Sequence, residues 1–188
     1  MRNSLKSLLL GITLLSSISS CDKDSELSLP PATQDGRNTL GFKANGKIWV
    51  NHGDICNWSV CEDNVVEGRL HKNVDGSYTL VLQAYYNNKS KNISQLFTLT
   101  AYQVSKPGTY TLTDAHEDHT SLVIDSLKNN FYHTGAPDSE MTLRVTRLDT
   151  VNHVVSGTFE GRLGHYNDAA KTITITDGRF DTKLTYSW

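Results

Sequence analysis

The sequence has no long apolar run, no basic tract, and no stretch with the three-to-four-residue periodicity of an ordinary helix. Each absence excludes something. The apolar segment Leu8 to Leu15 falls well short of the roughly 20 residues that cross a hydrocarbon core of about 30 Å. With 18 Lys+Arg against 20 Asp+Glu and no Lys/Arg cluster, the chain offers no basic face, so no nucleic-acid partner is expected. Heptads and internal repeats are missing. So are a Gly-x-Ser-x-Gly elbow, a His-Glu-x-x-His motif and a P-loop. On these grounds the chain is read as a non-enzyme, and nothing in it implies a cofactor. The carboxylate pair of a glycoside hydrolase is set by separation in space, which keeps a hydrolase as the third functional reading.

What is present begins at the N-terminus. Residues 1–20 divide as a cleaved secretory signal divides: Arg2 and Lys6 give a positive start, and Leu8 to Leu15 a short apolar core. The stretch Leu14-Leu15-Ser16-Ser17-Ile18-Ser19-Ser20-Cys21 then resembles the lipobox of bacterial lipoproteins. That resemblance implies cleavage before Cys21 and diacylation of its sulfur. The alternative is an ordinary signal cut near Ser20, with Cys21 incidental. A single acyl chain anchors only marginally, whereas two hold stably, so a modified Cys21 makes the membrane the first partner.

Residues 21–38 are acidic at their start (Asp22, Asp24, Glu26) and then Ser- and Pro-containing, the composition of a solvated tether. The acidic start is similar to the signal that directs many Bacteroidota lipoproteins to the outer face of the outer membrane. Loss of residues 1–20 removes Arg2 and Lys6 and leaves 16 basic against 20 acidic residues.

Cys56 and Cys61 form an even pair in an exported chain, and a disulfide closing a short loop is the simplest use of them. A zinc site with His52 and His71 is the competing arrangement, but the spacing fits no zinc-finger signature.

From Thr39 onward, short apolar-rich runs alternate with Gly, Asn and Asp. Asn45-Gly46 between Leu40 to Ala44 and Lys47 to Val50 signals a tight hairpin. Asp75-Gly76 and Asp177-Gly178 read as further turns. Met141, Leu143 and Val145 alternate with Thr142, Arg144 and Thr146, and Ile173 and Ile175 with Thr172, Thr174 and Thr176. The expectation is a β-rich domain over residues 39–188. It is read as all-β, an antiparallel β-sandwich, with a barrel-like closure as the alternative.

Three segments carry a family likeness. Phe42 to Trp49, Thr146 to Glu160 and Ile175 to Asp181 resemble uncharacterised Bacteroidota lipoproteins that combine a lipobox, a Pro-containing tether and one β-rich domain of unknown function. The resemblance implies no catalytic residues.

Candidate sites are few. His116-Glu117-Asp118-His119 is the densest group of metal-capable side chains, yet two histidines three apart share a face only on a helix, which this segment is too short to form. His116 and His119 are therefore weak candidates, and a solvated loop is the expectation. Aromatic residues exceed what one core face needs: Trp49, Trp58, Tyr85, Tyr86, Tyr102, Tyr110, Tyr132, Tyr166 and Trp188. Among them Trp58, inside the Cys56–Cys61 loop, is the first choice for ligand contact. Asp125-Ser126-Leu127 and Asp149-Thr150-Val151 resemble the short O-glycosylation sequence of exported Bacteroidota proteins. Together these features describe an outer-membrane lipoprotein, expected on the cell surface, that binds a glycan or protein ligand. The alternative is a structural or accessory lipoprotein on the periplasmic face.

Overall fold

The computed structural model describes residues 27–57, 59–114, 118–128 and 130–187. Its strands are β1 (Thr39–Ala44), β2 (Lys47–Val50), β3 (Asp54–Asn57), β4 (Val60–Asp63), β5 (Val66–Lys72), β6 (Tyr78–Asn88) and β7 (Ile93–Val104). They continue with β8 (Gly108–Leu112), β9 (His119–Asp125), β10 (Asn130–His133), β11 (Glu140–Asp149), β12 (Val154–His165) and β13 (Asp168–Ser187). Single 3-10 turns follow β6 and β9. Among the described residues no helix is long and apolar enough to cross a membrane.

The all-β expectation holds. Eleven strands form one sheet in the order β2-β1-β13-β5-β6-β7-β9-β10-β12-β11-β8, and β3 pairs with β4 in a separate hairpin. Because β13 also pairs with β12, the ladder closes on itself through β13, β5, β6, β7, β9, β10 and β12. The fold is thus sandwich-like with the closure of the barrel-like alternative. Its strand ladders are antiparallel except that of β13 with β5, which is parallel.

Alternation sets which side of each strand is buried. Met141, Leu143 and Val145 lie inside while Arg144 and Thr146 face solvent, and Ile173 and Ile175 lie inside between exposed Thr174 and Thr176. Rings fill the centre. Phe42 stacks on Trp49 with centroids 4.8 Å apart, Phe97 stacks on Phe159 at 5.2 Å, and Phe42 joins the two pairs at 4.8 Å from Phe97. Such pairs add about 0.5–1.5 kcal/mol each beyond the burial of their area. Trp49 directs its indole N–H to Gln95 Oε1 at 2.8 Å, so burial leaves no orphaned donor.

Asn45 and Gly46 both adopt positive φ, as the hairpin between β1 and β2 requires. Asp177-Gly178 corrects its expectation. The chain does not turn there, and β13 runs through it with Asp177 at φ +54°. The pairing with both β12 and β1 shifts register around this point, which makes it a bulge. A Cβ on Gly178 would come within 2.2 Å of the Phe159 carbonyl oxygen, so glycine here serves close strand approach.

Ahead of β1, the segment from Pro30 to Arg37 lies along the sheet and is fastened to one buried carboxylate. Asp181 accepts hydrogen bonds from the Thr33 hydroxyl (2.6 Å), the Asp35 amide (3.0 Å), the Gly36 amide (2.8 Å) and the Ser156 hydroxyl (2.7 Å). Arg179 donates to the Pro30 carbonyl at 3.4 Å, and Arg147 to the Gln34 carbonyl. This part of the stretch that composition assigns to a tether is held by the domain at several points. Burial works to raise the Asp181 carboxyl, but the hydrogen bonds from Thr33, Ser156, Gly36 and Asp35 outweigh it and hold the group below the usual carboxylate range.

Candidate functional site

Three strands and two turns bring together a group of side chains that lie far apart in the chain. On β9, Thr120 and Leu122 are buried, so His119 and Ser121 point the other way. On β10, Tyr132 packs on the core and meets buried His165 edge-on at 5.0 Å. Phe131 and His133 consequently share the opposite face. The register places His133 beside Ser121, one step from His119 on the same face. Two hydrogen bonds lock the strands at this end. Thr134 donates its amide to the Thr120 carbonyl (3.0 Å), and the Thr120 amide donates to the Thr134 hydroxyl (3.0 Å).

Asp114 enters from the end of β8, where φ of +64° turns the chain. Its Oδ1 lies 2.7 Å from His119 Nδ1. The approach to β9 is fixed by the Tyr102 amide, which donates to Asp118 Oδ1 at 2.6 Å. Asp114, His119 and His133 each present one metal-capable atom within 4.8 Å of the other two. The Gly135 amide donates to His133 Nδ1 at 3.2 Å. Burial lowers the pKa of His133, with His119 acting in the same direction and Asp114 opposing, which favours the neutral ring.

Aromatic rings border this group. Tyr166, in the turn between β12 and β13, stacks on Phe131 with centroids 4.4 Å apart, and His133 lies 6.1 Å from Tyr166. The Tyr166 amide donates to the Phe131 carbonyl at 3.0 Å, which fixes the turn over β10. Tyr166 is 59% exposed.

The histidine expectation is thus altered in part. His116 lies outside the described residues. His119 begins a strand rather than sitting in a loop, and its neighbours are Asp114 and His133, which local inspection of the sequence passed over. Trp58, Trp188 and Cys21 also lie outside the described residues. Trp49 is core, and Tyr86, Tyr110 and Tyr132 pack against the core. Of the aromatic candidates within the described residues, Tyr166 is the one that is largely exposed.

The Cys56 and Cys61 sulfurs lie 2.10 Å apart, at disulfide distance, across facing positions of β3 and β4. Bonded sulfurs supply no thiolate, which removes the zinc arrangement with His52 and His71. Thr150 and Val151 lie on an exposed turn directly after Asp149, the half-buried last residue of β11, and Leu127 of Asp125-Ser126-Leu127 is exposed in the 3-10 turn after β9.

Among the other depressions, one of about 380 Å³ sets Tyr85 beside Glu62 and Glu67, and two lack such convergence. One of about 460 Å³ lies over β11 to β13 between Thr142, Arg144, Thr158 and Glu160, and its aromatic residue, Phe159, is buried. Another of about 730 Å³, beside Ile93, Ile124 and Leu127, has no aromatic lining.

No protein-family model matches the chain, and no curated protein or solved structure matches it.

Proposed function

We propose that this chain is a lipid-anchored envelope protein displayed at the cell surface, whose β domain binds a glycan or protein ligand. The lipobox ending at Cys21 and the acidic residues after it support the anchor and its outward orientation. The observation that carries the binding reading is the exposed ring of Tyr166, braced flat on Phe131 beside His133. A held aromatic face loses little side-chain freedom on binding and can stack on a sugar ring or anchor a protein side chain. Turns at the ends of a rigid sheet are also where binding residues concentrate.

Protease treatment of intact cells tests the display. The protein is expected to be degraded, and a variant with Asp22, Asp24 and Glu26 changed to Ala to be protected. Protection of both would put the domain in the periplasm and remove the adhesion reading. Cys21→Ala is expected to release the chain from membranes. In a glycan and host-protein screen, Tyr166→Ala is expected to abolish whatever signal the wild type gives. A signal unchanged in Tyr166→Ala but lost in Trp58→Ala would move the binding surface to the cysteine hairpin.

A further inference from the structure

We propose that Asp114, His119 and His133 form a binding site for a single divalent transition-metal ion such as zinc. Two imidazoles and one carboxylate are the donor set that such ions take, whereas calcium and magnesium prefer oxygen alone. The donors sit within 4.8 Å of one another. Ligands of a tetrahedral zinc stand about 3.3 Å apart, given metal–ligand bonds of about 2.0–2.1 Å. Small side-chain rotations close that difference. The backbone need not move, because the Thr120–Thr134 hydrogen bonds already hold the two histidine-bearing strands in register.

Gly135 is the second observation. A Cβ built on it would come 2.5 Å from Asp114 Oδ2 and 2.9 Å from His133 Nδ1. The missing side chain leaves a space bordered by Asp114 Oδ2 and by the edge of the His133 ring, whose Nδ1 accepts from the Gly135 amide and leaves Nε2 to the ion. Asp114 Oδ1 already stands 2.7 Å from His119 Nδ1, and an ion between the two atoms would replace the proton that they share. The His119 and Asp114 side chains are 41% and 38% exposed, so an ion enters directly from solvent. Three protein ligands leave the fourth position to water or to an exchangeable group. This site does not depend on the glycan or protein reading, since it needs only the chain and the ion.

Calorimetric titration of the full chain in detergent with zinc chloride tests it, with calcium chloride as the contrasting probe. One equivalent of zinc is expected to bind, and calcium to give no comparable heat. His119→Ala and His133→Gln should each weaken zinc binding at least tenfold. Gly135→Ala retains all three donors but presses on both Asp114 Oδ2 and the His133 ring, and it should weaken binding to a similar degree. Circular dichroism and melting of each variant separate loss of the site from loss of the fold. Absence of zinc binding by the wild type would overturn the proposal. So would equal affinity in the His119→Ala/His133→Gln double variant, or binding that is lost in His116→Ala and kept in His133→Gln.

Discussion

Asp181 and Asp114 are two carboxylates in opposite situations. Asp181 is 1% exposed, and its oxygens are taken up by hydroxyls and amides of its own chain. Asp114 lies at the surface, with one oxygen on His119 and the other beside the space at Gly135. The first carboxylate ties the segment ahead of β1 to β12 and β13, and has no capacity left for anything outside the chain. The second keeps coordinating capacity that the fold does not use. Satisfaction by the chain's own donors marks a structural acid, and unused capacity beside imidazoles marks a candidate site.

Loss of the Asp181 carboxylate should cost the fold most. Asp181→Ala leaves buried donors from Gly36 and Ser156, and a half-buried one from Thr33, without a partner, at about 1–3 kcal/mol for each buried group. Urea unfolding should show a loss of about 3 kcal/mol or more. A loss under about 1 kcal/mol would mean that the segment contributes little to the fold.

The Cys56→Ser/Cys61→Ser pair comes next. The short loop closed by this disulfide limits its contribution to about 2 kcal/mol. The β4 residues are exposed, and the hairpin supplies no member of the core. Unfolding should register a drop no larger than that, with zinc affinity unchanged. A zinc affinity that falls with the cysteines would shift the metal to the hairpin.

pH probes the structural acid directly. A carboxyl held below its ordinary value of about 3.9 stabilises the fold fully above that pH, and the contribution fades as pH falls through the folded-state value. The stability gap between wild type and Asp181→Asn should therefore be widest near neutral pH and should shrink as pH falls below about 3.9. A gap independent of pH would show that packing, not ionisation, holds the segment.

The smallest effects belong to the proposed sites. Asp114→Ala and Tyr166→Ala should each stay within about 0.5 kcal/mol of wild type in unfolding, as surface substitutions commonly do. A loss above 2 kcal/mol in either would make that residue structural.

Much of the fold was legible in the sequence because its signals are local. Asn45-Gly46 makes a hairpin and the Met141 to Thr146 alternation makes a strand for reasons contained within a few residues. Asp177-Gly178 carries the same local signal as a turn, yet partners on both sides carry the strand through it, so the residues became a bulge. Asp181 gave no sign of its role, since its donors from Thr33 to Gly36 lie far away in the chain. The candidate site was half visible. His119 stood out among its neighbours, but its partner His133 belongs to the next strand. The alternation of Phe131, Tyr132 and His133 was the available clue, since it places Phe131 and His133 on one face, away from Tyr132.

The most direct test is to follow the histidine imidazoles of the full chain by nitrogen-15 NMR during a zinc titration. The ring signals of His119 and His133 should shift with one equivalent of zinc, while the Asp35 and Gly36 amides bound to Asp181 stay in place. Rings that do not respond, or a response led by histidines outside this pair, would contradict the zinc site.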